Sequence, residues 1–399
     1  MYCFIVRKMQ KEKIIVLSAV LADVIGFGIV IPILPYYVTA YGASPSTVTL
    51  LFAVFSFCSF FSAPFLGRLS DRIGRRPVMI LSITSTALGW LVFAGARTIW
   101  MMFLGRIIDG LAAGNFTTAQ STMVDLAKDE KERTKNLGMI GAAFGIGFLL
   151  GPVIGGALSR VSPAFPFWMA GALAAVNACA AFLFLPETNR HRETGKPFSF
   201  NPLAPLARAA KDKKLRPLYF IWSFFAFAIV TGQSIFGLYM KDTFGFTAFQ
   251  TGMAFTVVGL MVILNQGFLL HKFWLVKFSE STLEVFMLVL LAVSTLLFAS
   301  GNLVCFALSL IGLGTGQANL RVVLTSQAAA AADPMQKGET LGILSALMSA
   351  YMATAPVLSG FLFEQNRIYP YVLSAVLLLF GIYYSIRFRH NTAPIPEKA

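Results

Sequence analysis

Charge is scarce in this sequence: 13% of its 399 residues are Asp, Glu, Lys or Arg, against roughly 25% in ordinary soluble domains. A water-facing surface of normal extent is therefore excluded, and most side chains must face lipid or other apolar helices. Histidine is rarer still, with three residues, and the four cysteines Cys3, Cys58, Cys179 and Cys305 are scattered without metal or redox spacing. No metal site and no cofactor are expected. Nor is there a nucleophile–base arrangement, so an enzyme is not expected. A small-residue cleavage site after a short apolar core is also missing, so the first apolar stretch reads as a retained helix and not as a removed signal. Both Met1 and Met9 fit as the start.

What is abundant is apolar sequence, at 57% of residues. It falls into twelve stretches at 14–38, 46–69, 77–96, 98–124, 134–159, 163–185, 215–240, 247–270, 283–299, 302–326, 338–363 and 369–388. Each is long enough to cross a hydrocarbon layer of roughly 30 Å as a helix. The fold class expected is an all-α polytopic membrane protein with twelve transmembrane helices. An even count puts both termini on one side. In a soluble protein the formal charge of +14 would suggest nucleic acid, but 26 of the 32 Lys/Arg residues fall on one side of this topology and four on the other. The positive-inside rule then places both termini and the long central loop in the cytoplasm. No nucleic-acid partner is expected; the surroundings are a lipid bilayer.

The chain contains its own internal alignment. Leu137-Gly138, Pro152-Val153 and Gly156 recur as Leu341-Gly342, Pro356-Val357 and Gly360, and Gly110 and Asn115 recur as Gly314 and Asn319, always at an offset of 204. A shared offset across neighbouring spans implies duplication of a six-helix unit. The expected domains are 1–189 and 215–399, two pseudo-symmetric six-helix bundles joined by a basic cytoplasmic linker at 190–214. Duplicated bundles of this kind are a common transporter architecture, with substrate sites at mid-depth. The oligomeric state expected is a monomer.

Charged residues within the spans are costly, roughly 2.5–3.5 kcal/mol each on insertion scales. The first half holds Asp23, Arg106 and Asp109. At a rise of about 1.5 Å per residue, both carboxylates fall at similar depth. Arg106 lies one turn from Asp109 and can neutralise one acid by a charge-assisted hydrogen bond. The other acid is left over, which is what a proton carrier requires. The alternative is that the pair staples its helix while Asp23 bonds a neighbouring backbone. Asn115 and Gln120 in the first half and Gln233, Asn265, Gln266, Gln317 and Asn319 in the second are polar residues at membrane depth that suit substrate orientation or helix–helix bonding. The position 204 after Arg106 is Leu310, so proton chemistry is expected in the first half alone.

Three motifs complete the reading. After the second span the chain runs Gly67-Arg68-Leu69-Ser70-Asp71-Arg72-Ile73-Gly74-Arg75-Arg76-Pro77. Gly67 permits close helix approach, Gly74 a tight turn and Pro77 a helix first turn; Asp125 is a plausible partner for one of the arginines. In the fourth span Arg106 precedes Gly110 by four residues. In the fifth, Gly147, Gly151 and Gly155 strip one helix face at four-residue spacing, with Pro152 and Gly156 beside them. The chain resembles the major facilitator superfamily at all three. In that family the loop's Asp and Arg residues lock the cytoplasmic side, so the resemblance implies a gate role for Asp71, Arg72, Arg75 and Arg76. It likewise implies proton coupling at Arg106 and an antiporter character from the fifth-span glycines. The first span, Asp23-x-x-Gly26-x-Gly28-x-x-x-Pro32-x-x-Pro35, is similar to the twelve-span, tetracycline-type drug:proton antiporters, as is Pro186-Glu187-Thr188 after the sixth. Unlike those exporters, the chain has no carboxylate in 84–92 or 287–297.

The resemblance implies a proton-driven exporter of small amphipathic compounds, with protons and a small molecule as its partners. Two rivals remain: a proton symporter or facilitator for a nutrient, and a non-transporting receptor or scaffold on the same fold.

Overall fold

A computed structural model describes residues 2–189, 201, 203–333 and 336–388, with side chains from residue 12 to residue 387. Position 1, most of the first part of the expected linker (190–200 and 202) and the tail from 389 lie outside the described residues. The described chain is helical throughout: α1 Tyr2–Thr39, α2 Pro45–Ile73, α3 Arg75–Ala94, α4 Ile99–Leu111, α5 Asn115–Asp125, α6 Glu130–Leu158, α7 Phe165–Phe184, α8 Ala204–Lys211, α9 Arg216–Phe244, α10 Ala248–Leu264, a π-helical segment Asn265–Trp274 ending in α11 Leu275–Lys277, α12 Glu280–Ala299, α13 Leu303–Ala331, α14 Lys337–Gln365 and α15 Tyr369–Phe388. Several begin on side-chain caps, Ser44 for α2, Thr98 for α4, Asp129 for α6 and Ser279 for α12, each accepting a first-turn backbone N–H.

Among the described residues, eleven helices are long and apolar enough to cross a membrane. The remaining expected span, the fourth at 98–124, differs from expectation: it is not one helix but α4 and α5, of 13 and 11 residues, interrupted at 112–114. A break at membrane depth is tolerated only where the freed backbone groups find partners. They do. The Ile108 carbonyl accepts from Ser85 Oγ at 2.5 Å and the Gly110 carbonyl from Ser62 Oγ at 2.6 Å. The repeat-related helix α13 runs unbroken through Gly314 and Asn319. At the offset of 204, Gly114 is replaced by Ala318, Ser62 by Gln266 and Ser85 by Val289, so the second copy has both the better helix former and no hydroxyls to receive freed carbonyls.

The helices group into two compact units, 1–202 with 236–256, and 203–235 with 257–399. In the first, α1 packs on α6 and α7, and α3 on α4 and α7. Its core includes Val16, Val20, Met79, Ile83, Ala119, Met123 and Ile140. The segment 236–256 joins this unit through Tyr36, whose hydroxyl donates to the Phe246 carbonyl at 2.8 Å and shares a hydrogen bond with Thr251 Oγ1 at 2.6 Å.

In the second unit α12 packs on α13 and α15 around Leu283, Met287, Leu288, Leu291, Leu320 and Val323. The π winding between α10 and α11 has a local cause. Trp274 Nε1 donates to Asn265 Oδ1 at 2.9 Å across nine residues. At 3.6 residues per turn those positions lie on opposite faces; with the wider i→i+5 turn, about 4.4 residues, they share one.

Candidate functional site

The site is built where α3 and α4 touch most closely. A Cβ on Gly89 would stand 2.7 Å from the Gly105 carbonyl and 2.7 Å from Asp109 Cβ, so only glycine permits this approach. It brings the polar side of α4 against α3. Arg106 and Asp109 are both buried, at 3% and 4% exposure, where a charge without a partner is untenable. Their ion pair is looser than the sequence suggests, Nη2 to Oδ2 3.4 Å, and Arg106 Nε and Nη2 have no hydrogen-bond partner. The guanidinium instead lies over aromatic rings: 3.9 Å from the Trp90 centroid, 5.0 Å from Phe93 and 5.6 Å from Phe55. A planar cation over desolvated rings gains roughly 2 kcal/mol, which explains why the charge-assisted hydrogen bond expected for an i,i+3 pair is replaced by a stacked cation near its acid.

Asp23 of α1 stands opposite, partly buried. Its carboxyl is within hydrogen-bonding reach of the Asn115 side chain and feels the charge of Asp109. Asn115, the first residue of α5, donates through Nδ2 to Thr86 Oγ1 at 3.2 Å, and the Thr86 hydroxyl lies near Asp109 in turn. One amide and one hydroxyl, bonded to each other, thus stand between the two acids. The sequence reading missed Thr86 and Trp90. A signal existed in the third span, where both sit one turn apart on the face that also carries Gly89. Gly26 of α1 rests against Trp90, its would-be Cβ 3.3 Å from the indole nitrogen.

The loop after α2 is held by a second cluster. Arg75 bridges Asp71 at 2.5 Å and Asp125 at 3.0 Å, and donates to Ser70 Oγ at 2.7 Å. Arg76 Nη2 donates to the Phe182 carbonyl at 2.7 Å. Glu187, beyond the end of α7, accepts from the backbone N–H of Arg75 at 2.8 Å and of Arg76 at 3.4 Å. It thereby caps the first turn of α3, where a negative charge is favoured. Gly74 connects the two helices at φ 116°, and a Cβ there would run into Glu187 Oε2. Gly74→Ala should therefore cost about 1–3 kcal/mol of backbone strain beyond the clash; thermal unfolding in detergent should show the loss, and Glu187→Ala added to it should relieve only the steric part. Arg72 is engaged by a neighbour as well, whereas a Cβ on Gly67 would meet nothing nearer than Thr117 Oγ1 at 3.9 Å, so the close helix approach expected at Gly67 is not what this glycine provides.

On α6, Gly147, Gly151 and Gly155 face α1. Added Cβ atoms would meet Val24 Cβ at 2.9 Å, the Ile25 carbonyl at 2.8 Å and Ile29 Cγ1 at 3.0 Å respectively. Pro152 touches Gly28, and Gly156 lies against Phe249. This face sets the height and rotation of α1, and with them the placement of Asp23.

The remaining amides scatter. Gln120 is half-buried. Asn265 and Asn319 are buried and bonded to each other at 3.0 Å, so they join α13 to the π segment. Gln266 is exposed and reaches the Ala318 carbonyl at 3.4 Å. Gln233 and Gln317, half-buried, form a pair at 3.4 Å. The sequence reading also passed over Glu284, which α12 buries to 4% exposure although it lies within the ninth span. Among the described residues no group of His, Cys, Asp and Glu suits a metal ion.

Comparison with known proteins agrees with this architecture. The chain is 28% identical over 371 residues to the class H tetracycline resistance protein of Pasteurella multocida, covering 90% of this chain and 91% of that one. It is 28% identical over 384 residues to multidrug resistance protein 2 of Bacillus subtilis, covering 92% and 93%. Among solved structures, the human organic anion transporter MFSD10 superposes with a TM-score of 0.70 at 23% identity over 94% of this chain and 99% of that one. The nucleoside transporter NupG does so with 0.76 at 15% over 96% and 98%, a likeness of fold. These relatives are resistance proteins, and these fold neighbours are transporters. A polytopic helical chain with this loop, this buried arginine and this glycine-lined helix matches the family model of the Major Facilitator Superfamily over residues 16–279, and the chain belongs to that superfamily.

Proposed function

We propose that the protein is a proton-coupled exporter of small amphipathic compounds, working by alternating access in a bacterial inner membrane as a monomer with both termini in the cytoplasm. One observation carries the reading: Asp23 stands against the charge of Asp109 with no ion pair of its own among the described residues, while the Arg106 guanidinium, 3.4 Å from Asp109, also lies over the Trp90 ring. One of the two acids can therefore exchange a proton without leaving a buried charge stranded. Similarity to tetracycline and multidrug resistance proteins supports export as the direction and drugs as the substrate class. The acidic sites favour cationic amphiphiles, and the Gln233–Gln317 pair offers donors and acceptors for orienting them.

In this reading Arg75, held between Asp71 and Asp125, and Arg72 and Arg76 beside it, form the cytoplasmic gate, and the α6 glycines let α1 slide or tilt as Asp23 changes charge. The test is directional. Everted membrane vesicles containing the protein, acidified inside, should accumulate ethidium or tetracycline and lose it when a protonophore is added. Movement of solute only down its own gradient, or out of the vesicles with protons, would establish a facilitator or symporter instead.

A further inference from the structure

The Asn115 side chain has features that the proton reading does not by itself require. It is 5% exposed, its Nδ2 donates to Thr86 at 3.2 Å while lying in reach of Asp23, and its Oδ1 is buried with no hydrogen-bond partner. Buried carbonyls are nearly always satisfied. Here the amide has committed its donor end and left its acceptor end idle. Rotated by half a turn, the same amide would present Oδ1 to Asp23 and Thr86 and leave Nδ2 idle. Either orientation strands one end, so the surroundings of the idle end do not choose between them; the partner at Asp23 does. An ionised carboxylate accepts only, and selects Nδ2. A carboxylic acid brings an O–H donor, and selects Oδ1.

The consequence passes to Thr86, which has a single hydroxyl proton. While Asn115 Nδ2 donates to Oγ1, that proton is free for Asp109. Once Oδ1 is presented, the proton turns to Asn115 and Asp109 loses its hydroxyl donor. Arg106 Nε and Nη2, both without a hydrogen-bond partner and 3.4 Å from Asp109 at the nearer approach, are the donors that remain to serve it. We propose that the Asn115 carboxamide reads the protonation state of Asp23 and, through Thr86, passes it to the Asp109–Arg106 pair, making Asn115 and Thr86 positioning residues of proton coupling. The proton itself comes from water, forms an O–H bond on the Asp23 carboxylate and returns to water; nothing else is transferred. The charged groups of the network are Asp23 of α1 and Arg106 and Asp109 of α4, and from α2 the Cys58 thiol side chain packs against Gly110 of α4. Thr86 and Trp90 of α3, Asn115 of α5, Gly147 and Gly151 of α6 and Asn177 of α7 bring no charge. The repeat-related Asn319 also keeps an idle Oδ1, but the position matching Asp23 is Phe227, so there is no proton for it to read.

This inference rests on the proton reading of Asp23, and the experiment separates the two. Infrared difference spectra of the full chain in lipid vesicles, recorded between pH 5 and 9 (about two units either side of neutral), report the carboxylic acid band of Asp23 and the carboxylate bands of Asp109, assigned with Asp23→Asn and Asp109→Asn. In wild type the Asp109 bands should shift as the Asp23 acid band grows. In Thr86→Val and in Asn115→Leu the Asp23 band should persist while the Asp109 shift is lost, and Thr86→Ser should restore it. Asn115→Leu should also move the Asp23 acid band toward the frequency of an unbonded acid. An Asp109 shift that survives in either Thr86→Val or Asn115→Leu overturns the relay. Absence of any Asp23 acid band in wild type overturns the proton reading beneath it. Each variant acts at a different link, so either one that folds decides the matter.

Discussion

Asp23→Asn is expected to reduce proton-driven accumulation in everted vesicles to the level of vesicles lacking the protein, while exchange of substrate down its own gradient persists. The substitution preserves shape and the ability to bond Asn115, but it removes the one thing the proposal asks of the side chain, a change of charge. A ligand shifts a two-state equilibrium only by its differential affinity for the two states. In the Asp23→Asn variant the proton has no such differential at this position, so a proton gradient can no longer do work on the carrier. By reciprocity, the substrate should also cease to alter proton binding, and substrate-induced proton release from the purified protein should vanish. Undiminished uphill transport by the Asp23→Asn variant would remove Asp23 from the mechanism and leave it as a polar residue of α1.

The largest effect on stability is expected at Arg106. Arg106→Leu should destabilise the folded protein by about 3–5 kcal/mol, because it leaves the buried Asp109 carboxylate without compensating charge. The same substitution made together with Asp109→Leu should cost markedly less, since the stranded group is then removed. A double-mutant cycle on thermal unfolding isolates that coupling. Arg106→Lys keeps the charge but not the flat guanidinium 3.9 Å from Trp90, and should lose about 1–2 kcal/mol of stacking. Equal destabilisation by the single and double leucine variants would mean that packing on the aromatic rings, and not the ion pair, holds Arg106.

The membrane class, the number and order of spans and the family were legible in the sequence because hydrophobic length and a handful of fixed-offset motifs report on them directly. Individual site residues were legible only where they broke a rule. Asp23, Arg106 and Asp109 stood out because charge at membrane depth is costly. Thr86 and Trp90 broke nothing, a threonine and a tryptophan being ordinary inside a span, and their partnership with Asp109 and Arg106 arises only when Gly89 and Gly105 bring α3 and α4 into contact. Glu284 did break the rule, yet its place near the start of α12 let it pass for an end-of-span residue.

Apolar length and charge placement, properties of segments taken one at a time, therefore settled by themselves that this chain lives in a bilayer and that Asp23, Arg106 and Asp109 lie at membrane depth. Tertiary structure alone decided that the fourth span is broken at 112–114 and that its broken end presents Asn115 to Asp23. The reason is that a helix interruption is stable only when hydroxyls from other helices, here Ser62 and Ser85, take up the freed carbonyls. Such partners lie 48 and 23 residues away along the chain, and no local pattern announces them.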